Sequence, residues 1–227
     1  EDDSNLTLNS RLMAGALNLP FIPSGSGIWG DLKKPGLWDG KLAYPKNVVT
    51  DDPFGTGRKV ALLQAISPDL SGVLVPFGDT HGNGIILGSM YYDYWLARAG
   101  KKIVLIADQI VDTEMCRRFP NLVAIPGVGV DAVVPWYMGA WPCNSPGVYG
   151  EDLDHISMFI KNSRGEALRN YLDKYVYSWE THEQYLALIG AEKVAALQDN
   201  PANILADPFG QWILPQEAVA GLIPAAE

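Results

Sequence analysis

One short turn, at residues 79–83 (DTHGN), brings together side chains that could exchange protons and bind a polar ligand. A carboxylate, an imidazole and an amide offer acid–base groups as well as hydrogen-bond donors and acceptors. The turn follows the apolar run Gly72–Phe77, and ligands of open α/β sheets bind at strand ends. Its glycine suits a tight turn with positive φ. We therefore predict a substrate-binding site at Asp79, His81, Gly82 and Asn83, with His81 as a weak catalytic candidate.

A second segment is glycine-rich, residues 25–30 (GSGIWG), and its spacing matches the dinucleotide motif G-x-G-x-x-G. That motif holds a pyrophosphate only where a strand enters it and a helix leaves it. A proline precedes the loop, and Pro35-Gly36 ends any helix within about a turn and a half, which disfavours a dinucleotide site. We predict instead that this loop approaches substrate through backbone atoms and hydroxyls, at Ser24, Gly25, Ser26 and Gly27.

The other candidate groups are scattered along the chain. His81, His155 and His182 lack metal-binding spacing, and two cysteines are too few for a cysteine zinc site or a disulfide framework. Residues 55–59 (GTGRK) lack the spacing of a phosphate-binding loop and favour a tight turn that opens a strand. We predict no metal site.

The elements that must position these residues alternate between strands and helices, which predicts an α/β architecture. Strands are predicted at 59–64, 72–77, 85–87 and 102–107, with weaker candidates at 121–125 and 132–134. Helices are predicted at 6–17, 91–99 and 163–179, and again after Thr181. The stretch 20–57 is predicted to be mostly loop. Ser163 with Glu166, and Thr181 with Gln184, have the spacing of capping boxes. We divide a single domain, 1–227, into an α/β portion (1–162), a helical portion (163–200) and a tail (201–227).

Composition excludes several classes of protein. With 48% hydrophobic and 19% charged residues, the 227-residue chain is typical of a globular protein and unlike collagen, coiled coils or disordered proteins. Its net charge of −9 disfavours nucleic acid as a partner. No apolar run reaches the roughly 18 residues that a membrane span needs. Because there is no signal-peptide pattern, we expect a cytoplasmic protein with no membrane partner.

An ordered set of short segments covers residues 1–200 and resembles the α subunit of the glutaconate CoA-transferase-like family, the class I CoA-transferases. The segments are Ala14-Gly15-Ala16-Leu17, Leu19-Pro20-Phe21-Ile22-Pro23, Asp31-Leu32, Asp52-Pro53-Phe54, Thr56-Gly57, Ser67-Pro68-Asp69, Asp79-x-x-Gly82-Asn83, Lys102-Ile103-Val104, Ala107-Asp108-Gln109-Ile110-Val111, Ile125-Pro126-Gly127, Val130-Asp131-Ala132-Val133-Val134, Gly139-Ala140-x-Pro142 and Tyr149-Gly150.

The resemblance implies an open, mostly parallel sheet with flanking helices and a helical C-terminal part. It also implies an α2β2 heterotetramer whose β subunit carries a nucleophilic glutamate. Coenzyme A would enter as part of the acyl-CoA substrate, with no permanently bound cofactor. Glu1 and Asp2 are weak catalytic candidates, since relatives have an acidic stretch there.

The chain departs from the family pattern at three places. Gly25 stands where many relatives have a basic residue, and Trp141 where relatives often carry histidine. The glycine-rich opening of the family is absent, so we expect a chain that lacks the N-terminal third. These departures leave open an acyl-CoA hydrolase or decarboxylase on the same scaffold, or a non-catalytic structural subunit.

Overall fold

The computed structural model describes residues 3–28 and 47–199, which divide into two compact units. Among these residues, the first unit comprises positions up to Val73 together with Met90–Val104. The second comprises Leu74–Ser89 and the positions from Leu105 onward. No helix in the described ranges has the length and hydropathy needed to cross a bilayer.

The first unit holds a three-stranded antiparallel sheet with strand order β1-β3-β2 and two helices that pack on each other. Its elements are α1 (Asn5–Ala16), β1 (Phe21–Ser24), β2 (Asn47–Asp51), β3 (Lys59–Gln64) and α2 (Asp93–Ala99). The central strand β3 alternates buried and less buried residues, so that Ala61 and Leu63 enter a small core with Ile28. This alternation is typical of a sheet that is buried on one face.

Helix α1 begins with a capping box that the sequence did not reveal. Ser4 Oγ accepts a hydrogen bond from Thr7 N (3.2 Å), and Thr7 Oγ1 accepts one from Ser4 N (2.9 Å). These bonds satisfy backbone donors that lack partners within the helix. Asn18, two residues after the end of α1, adopts a left-handed conformation with φ of 54°.

A second sheet has five strands in the order β7-β5-β4-β6-β8. They are β4 (Ser71–Gly78), β5 (Gly84–Ile85), β6 (Ile103–Ile110), β7 (Val123–Ile125) and β8 (Ala132–Pro135). Strand β5 runs antiparallel to β4 and to β7, and the sheet as a whole is mixed and mostly parallel, as predicted. The turn at 79–83 is the short connection between β4 and β5.

In the described part of the second unit there are five α-helices, and its helical C-terminal part is confirmed. They are α3 (Thr113–Arg118), α4 (Leu153–Lys161), α5 (Gly165–Tyr175), α6 (His182–Ile189) and α7 (Ala191–Leu197). The core of this unit includes Phe77 and Ile85 from the sheet and Tyr185 and Ile189 from α6.

Local cap signals had two different outcomes. The capping box of Thr181 and Gln184 is confirmed, and Gly190, with φ of 94°, separates α6 from α7. The predicted box at Ser163 is wrong, because α5 begins at Gly165 and Ser163 Oγ donates to the carbonyl of Ile160. Ser163 therefore closes the preceding helix instead of opening the next.

Strands β1 and β2 lie within the stretch predicted to be mostly loop, so that prediction is wrong there. Pro23 within β1 obscured the strand signal, because proline cannot donate to a sheet ladder. The structure accommodates it because, among the described strands, β1 pairs with β3 alone and forms an edge of the sheet.

Candidate active site

The carboxylate of Asp79 organises the turn between β4 and β5. Asp79 is fully buried, and its Oδ1 accepts hydrogen bonds from the backbone N–H of His81 (2.9 Å) and of Asn83 (2.8 Å). Its Oδ2 accepts a third from Asn83 Nδ2 (2.7 Å). A buried carboxylate with several donors is rigidly held, so the turn presents its remaining groups in one arrangement.

Two glycines allow the turn to pack closely. Gly82 has φ of 87°, as the sequence predicts, and a Cβ on it would come within 2.7 Å of Val130 Cβ. The backbone N–H of Gly127 donates to Asn83 Oδ1 (2.9 Å). The side-chain amide of Asn83, the group for which it is predicted to bind substrate, therefore connects the turn to the segment between β7 and β8.

The electrostatics of the turn favour an ionised Asp79. Burial acts to raise the pKa of Asp79, but the hydrogen bonds from Asn83, Thr113 and His81 outweigh it and the pKa is lowered.

Burial together with the nearby Asp79 raises the pKa of the Cys116 thiol to about 12. Cys116 is buried and stays a neutral thiol, so it offers no nucleophile.

A cavity of about 320 Å³ adjoins this turn. Its lining comes from the turn, the end of β6 and the segment leading into β8: Thr80, His81, Gly82, Ile110, Val130, Asp131, Ala132, Val133 and Pro135. His81 and Gly82 thus line the cavity, while Asp79 and Asn83 are not among its lining residues and support the turn. The polar side chains in the lining are a hydroxyl, an imidazole and a carboxylate, enough to orient a small polar substrate within apolar walls.

The other predicted loop belongs to the first unit. Ser24 ends β1, and its Oγ accepts a hydrogen bond from Ser26 N (3.0 Å). Gly25 lines a separate cavity of about 660 Å³, whose apolar walls include Phe21, Phe54 and Leu62. Ile28 of the dinucleotide-like motif is a core residue, and the motif's last two positions, Trp29 and Gly30, lie outside the described residues.

Replacement by alanine should affect the stability of the protein differently at two glycines of this loop. Gly27 has φ of 81°, which strains any residue with a Cβ, whereas a Cβ on Gly25 meets no atom of the described residues within 4 Å. We expect Gly27→Ala to lower the free energy of unfolding by about 1 to 2 kcal/mol and Gly25→Ala to leave it nearly unchanged. Urea unfolding of the two variants measures the difference, and equal stability would contradict the strained conformation at Gly27.

No family model matches the chain, but individual proteins do. It is 34% identical over 191 residues to an uncharacterised protein of Archaeoglobus fulgidus, matching 84% of this chain and 40% of that protein. It is 30% identical over 209 residues to a glutaconate CoA-transferase subunit of Acidaminococcus fermentans, matching 88% of this chain and 65% of that protein. The crystal structure of that organism's glutaconate CoA-transferase matches with a TM-score of 0.79 and 25% identity, covering 96% of this chain and 69% of that chain. The chain belongs to the glutaconate CoA-transferase-like family of class I CoA-transferases. It spans 40% to 65% of the length of the curated relatives it matches here.

Sequence reasoning missed part of the site of this CoA-transferase-family chain. Val130 and Asp131 belong to a segment that carried the family resemblance, yet nothing marked them as cavity walls. Thr113 was not singled out, although its Oγ1 lies 3.0 Å from His81 Nδ1. The available signal was positional: both segments lie beside the end of a sheet strand, where sites form in α/β folds.

Asp108 supports the segment that follows the cavity wall. Its position after the apolar run at 102–107 is equally consistent with facing the cleft and with capping a helix. In the structure Asp108 lies within β6 and is buried. Its Oδ1 accepts from Gly139 N (3.0 Å) and Tyr149 Oη (3.1 Å). The helix-capping role belongs to Asp112, whose side chain accepts from Glu114 N.

The protonation of Asp108 should make stability depend on pH. Burial raises the pKa of Asp108, and the bonds from Gly139 and Tyr149 only partly offset this. Because the pKa of Asp108 is higher in the folded than in the unfolded state, the protonated side chain favours the folded state. This contribution to the free energy of unfolding is complete below pH 3.8, the ordinary pKa of aspartate, and is lost as the pH rises through the folded-state pKa. We expect Asp108→Asn, which carries no charge, to become more stable relative to the wild type as the pH rises from 4 toward neutrality. Urea unfolding across this range measures the trend, with the exposed Asp69→Asn as control, and a difference that does not vary with pH would contradict it.

The start of the chain holds the remaining acidic candidates. Glu1 and Asp2 lie outside the described residues, and the neighbouring Asp3 forms an ion pair with the buried Arg11. Within 3–28 and 47–199, no three His, Cys, Asp or Glu side chains cluster as a metal site would require. The ring centroids of Trp141 and His155 lie 4.0 Å apart.

Proposed function

We propose that this chain is the α subunit of a heteromeric CoA-transferase that moves CoA between a carboxylated acyl-CoA and an acceptor carboxylic acid. The observation that carries the proposal is the match to the glutaconate CoA-transferase subunit of Acidaminococcus fermentans over 88% of the chain, supported by the structural similarity. In the proposed α2β2 assembly, the β subunit supplies the nucleophilic glutamate. Coenzyme A takes part only as a portion of the substrate.

The proposed reaction divides one exchange into steps through covalent intermediates. The glutamate carboxylate attacks the thioester carbon, a C–O bond forms, the C–S bond breaks, and the CoA thiolate leaves. The thiolate then attacks the glutamyl carbonyl of the resulting anhydride, which releases the donor acid and leaves a glutamyl-CoA thioester. The acceptor carboxylate reacts with that thioester, and the same steps run in reverse.

This chain contributes walls and polar contacts to that chemistry. The 320 Å³ cavity can hold a short carboxylated acyl group, with Thr80 and His81 as its hydrogen-bonding side chains. Ser24, Gly25, Ser26 and Gly27 remain proposed contacts to substrate or CoA. Among the described residues that line the cavity, Asp131 alone carries a carboxylate, and it is an aspartate at an exposed position rather than a desolvated glutamate. A carboxylate attacks a thioester efficiently only when it is rigidly aligned.

Chemical trapping tests where the nucleophile lies. The purified complex is incubated with an acyl-CoA, treated with borohydride to reduce any glutamyl-CoA thioester, digested, and analysed by mass spectrometry. We expect one modified peptide, derived from the partner chain and formed only when acyl-CoA is present. A modified peptide from this chain, such as one that contains Asp131, would refute a nucleophile supplied in trans.

The same reaction mixture separates the alternatives. Absence of a trapped peptide, together with release of free CoA in the absence of acceptor, would indicate an acyl-CoA hydrolase. Release of carbon dioxide would indicate a decarboxylase. Full transfer activity in a complex whose α-chain cavity is blocked by Gly82→Val, with the assembly intact, would support a purely structural role for this chain.

A further inference from the structure

The three-stranded sheet of the first unit carries apolar side chains on both of its faces. One face forms the small core with Ile28. On the other face, the register of the ladder places Pro23, Leu62 and Val48 side by side across the three strands. Pro23 and Val48 are exposed there, and so is Phe21. Antiparallel sheets commonly present a polar face to water, so a second, exposed apolar face indicates a surface that binds another protein.

A projecting aromatic ring and a cavity lie next to each other on this face. The loop between β2 and β3 carries Phe54, which is 90% exposed. The cavity of about 660 Å³ is bounded by Phe54 itself, by Phe21 and Pro23 from β1 and by Leu62 from β3. Its volume is in the range of sites that enclose whole small molecules, so it can receive an aromatic ring. The same surface therefore offers both a projection and a recess.

The loop that carries Phe54 is held in one conformation by Asp52. Asp52 Oδ1 accepts a hydrogen bond from the backbone N–H of Phe54 (3.0 Å), and its carboxylate also accepts one from the Thr56 hydroxyl. The backbone N–H of Asp52 donates to the carbonyl oxygen of Arg58 across the loop (2.9 Å). A group that is already ordered loses little conformational freedom when it binds. Phe54 is therefore well suited to insert into a recess on a partner.

The charges around the cavity indicate which partner fits. Asp51 and Asp52 line it from the end of β2, whereas Arg58 and Lys59 line it from the start of β3. One arm of the hairpin is thus acidic and the other basic. A second copy of the chain, related by a two-fold axis, can present its basic arm to the acidic arm of the first copy. The ion pair between Asp51 and Lys59 is exposed, and such pairs are weak enough to exchange partners.

We propose that this face of the sheet is a self-complementary interface between two copies of the chain. Phe54 of each copy occupies the cavity of the other, and the acidic arm of each hairpin faces the basic arm of the other. An interface about a two-fold axis uses the same surface on both chains, so that surface must carry both the projection and the recess. The inference rests on the proposed α2β2 stoichiometry and is independent of the reaction.

Removal of the aromatic ring tests the contact. Sedimentation of the purified complex gives the number of copies of this chain that it contains. We expect two copies in the wild type, and we expect Phe54→Ser to weaken their association about a hundredfold. Because Phe54 is exposed, the unfolding free energy should hardly change. The control is Val128→Ser, which removes a side chain that is 98% exposed in the second unit and should leave two copies.

Three results of that experiment would overturn the interface. They are one copy of this chain in the wild-type complex, unchanged association of the Phe54→Ser variant, and loss of the β subunit from that variant in place of the second copy. The last result would assign the face to the β subunit. A wild-type complex that transfers CoA with one copy of this chain would overturn the interface and leave the proposed reaction standing.

A charge exchange distinguishes a second copy from any other partner. Asp51→Lys makes the charges around the cavity predominantly basic, and Lys59→Asp makes them predominantly acidic, so each variant should repel its own copies. Mixed together, the two variants are complementary, and we expect complexes that hold one copy of each. Mixing cannot restore a contact with the β subunit or with another segment of the same chain. Two folded variants that fail to associate when mixed would overturn the proposal.

Discussion

Replacing Gly127 by alanine should damage both the stability of the second unit and the activity of the enzyme. A Cβ at this position would lie 2.1 Å from the carbonyl oxygen of His81 and 3.1 Å from the backbone nitrogen of Asn83. Both contacts are with backbone atoms, which cannot rotate away as a flexible side chain could. We expect Gly127→Ala to cost about 2 to 3 kcal/mol of unfolding free energy, because either the turn or the segment between β7 and β8 must move.

The activity should fall more than the stability loss explains. The backbone N–H of Gly127 holds Asn83, so a displaced Gly127 also displaces the turn that carries His81. Urea unfolding and steady-state kinetics at a temperature where the variant is folded separate the two effects. Gly150→Ala is the matched control, since the nearest heavy atom to its Cβ, Leu197 O, would be 3.8 Å away. Equal behaviour of the two variants would contradict the close packing described for the turn.

Replacing Asp79 by alanine should be at least as harmful. The change leaves the N–H groups of His81 and Asn83 and the side-chain amide of Asn83 without their acceptor, and the site is buried. Buried donors without partners cost roughly 1 to 3 kcal/mol each. Because water will reach some of them, we expect a total loss of about 3 kcal/mol.

The pH dependence gives a second signature of Asp79. Because the pKa of Asp79 is lower in the folded than in the unfolded state, the ionised carboxylate favours the folded state. This contribution to the free energy of unfolding is complete above pH 3.8, the ordinary pKa of aspartate, and is lost as the pH falls through the folded-state pKa. Acid unfolding of the wild type should therefore contain a contribution that is missing in Asp79→Ala. The control is Asp69→Ala, which removes an exposed carboxylate paired with Lys101 and should change stability far less. A similar loss in the two variants would contradict the organising role of Asp79.

The sequence by itself predicted those elements, and those parts of the site, whose conformation depends only on residues close by in the chain. The bounds predicted for β3 agree with the structure, because alternating apolar residues between turn residues need no distant partner to be recognised. The same holds for the capping box at Thr181 and for the positive φ of Gly82, where each requirement lies within a few residues. The ordered family segments likewise implied the α/β fold with its mostly parallel sheet.

Only the tertiary structure decided which distant groups meet. His81 and Thr113 are 32 residues apart, Asn83 and Gly127 are 44 apart, and Asp108 and Tyr149 are 41 apart. Each pair is brought together by strand order and by the path of the chain between strands, which no local pattern encodes. The cavity wall at residues 130–133 depends on contacts of this kind. For this chain the sequence alone therefore determined the family and the position of the turn, while the folded sheet determined which cavity the turn faces.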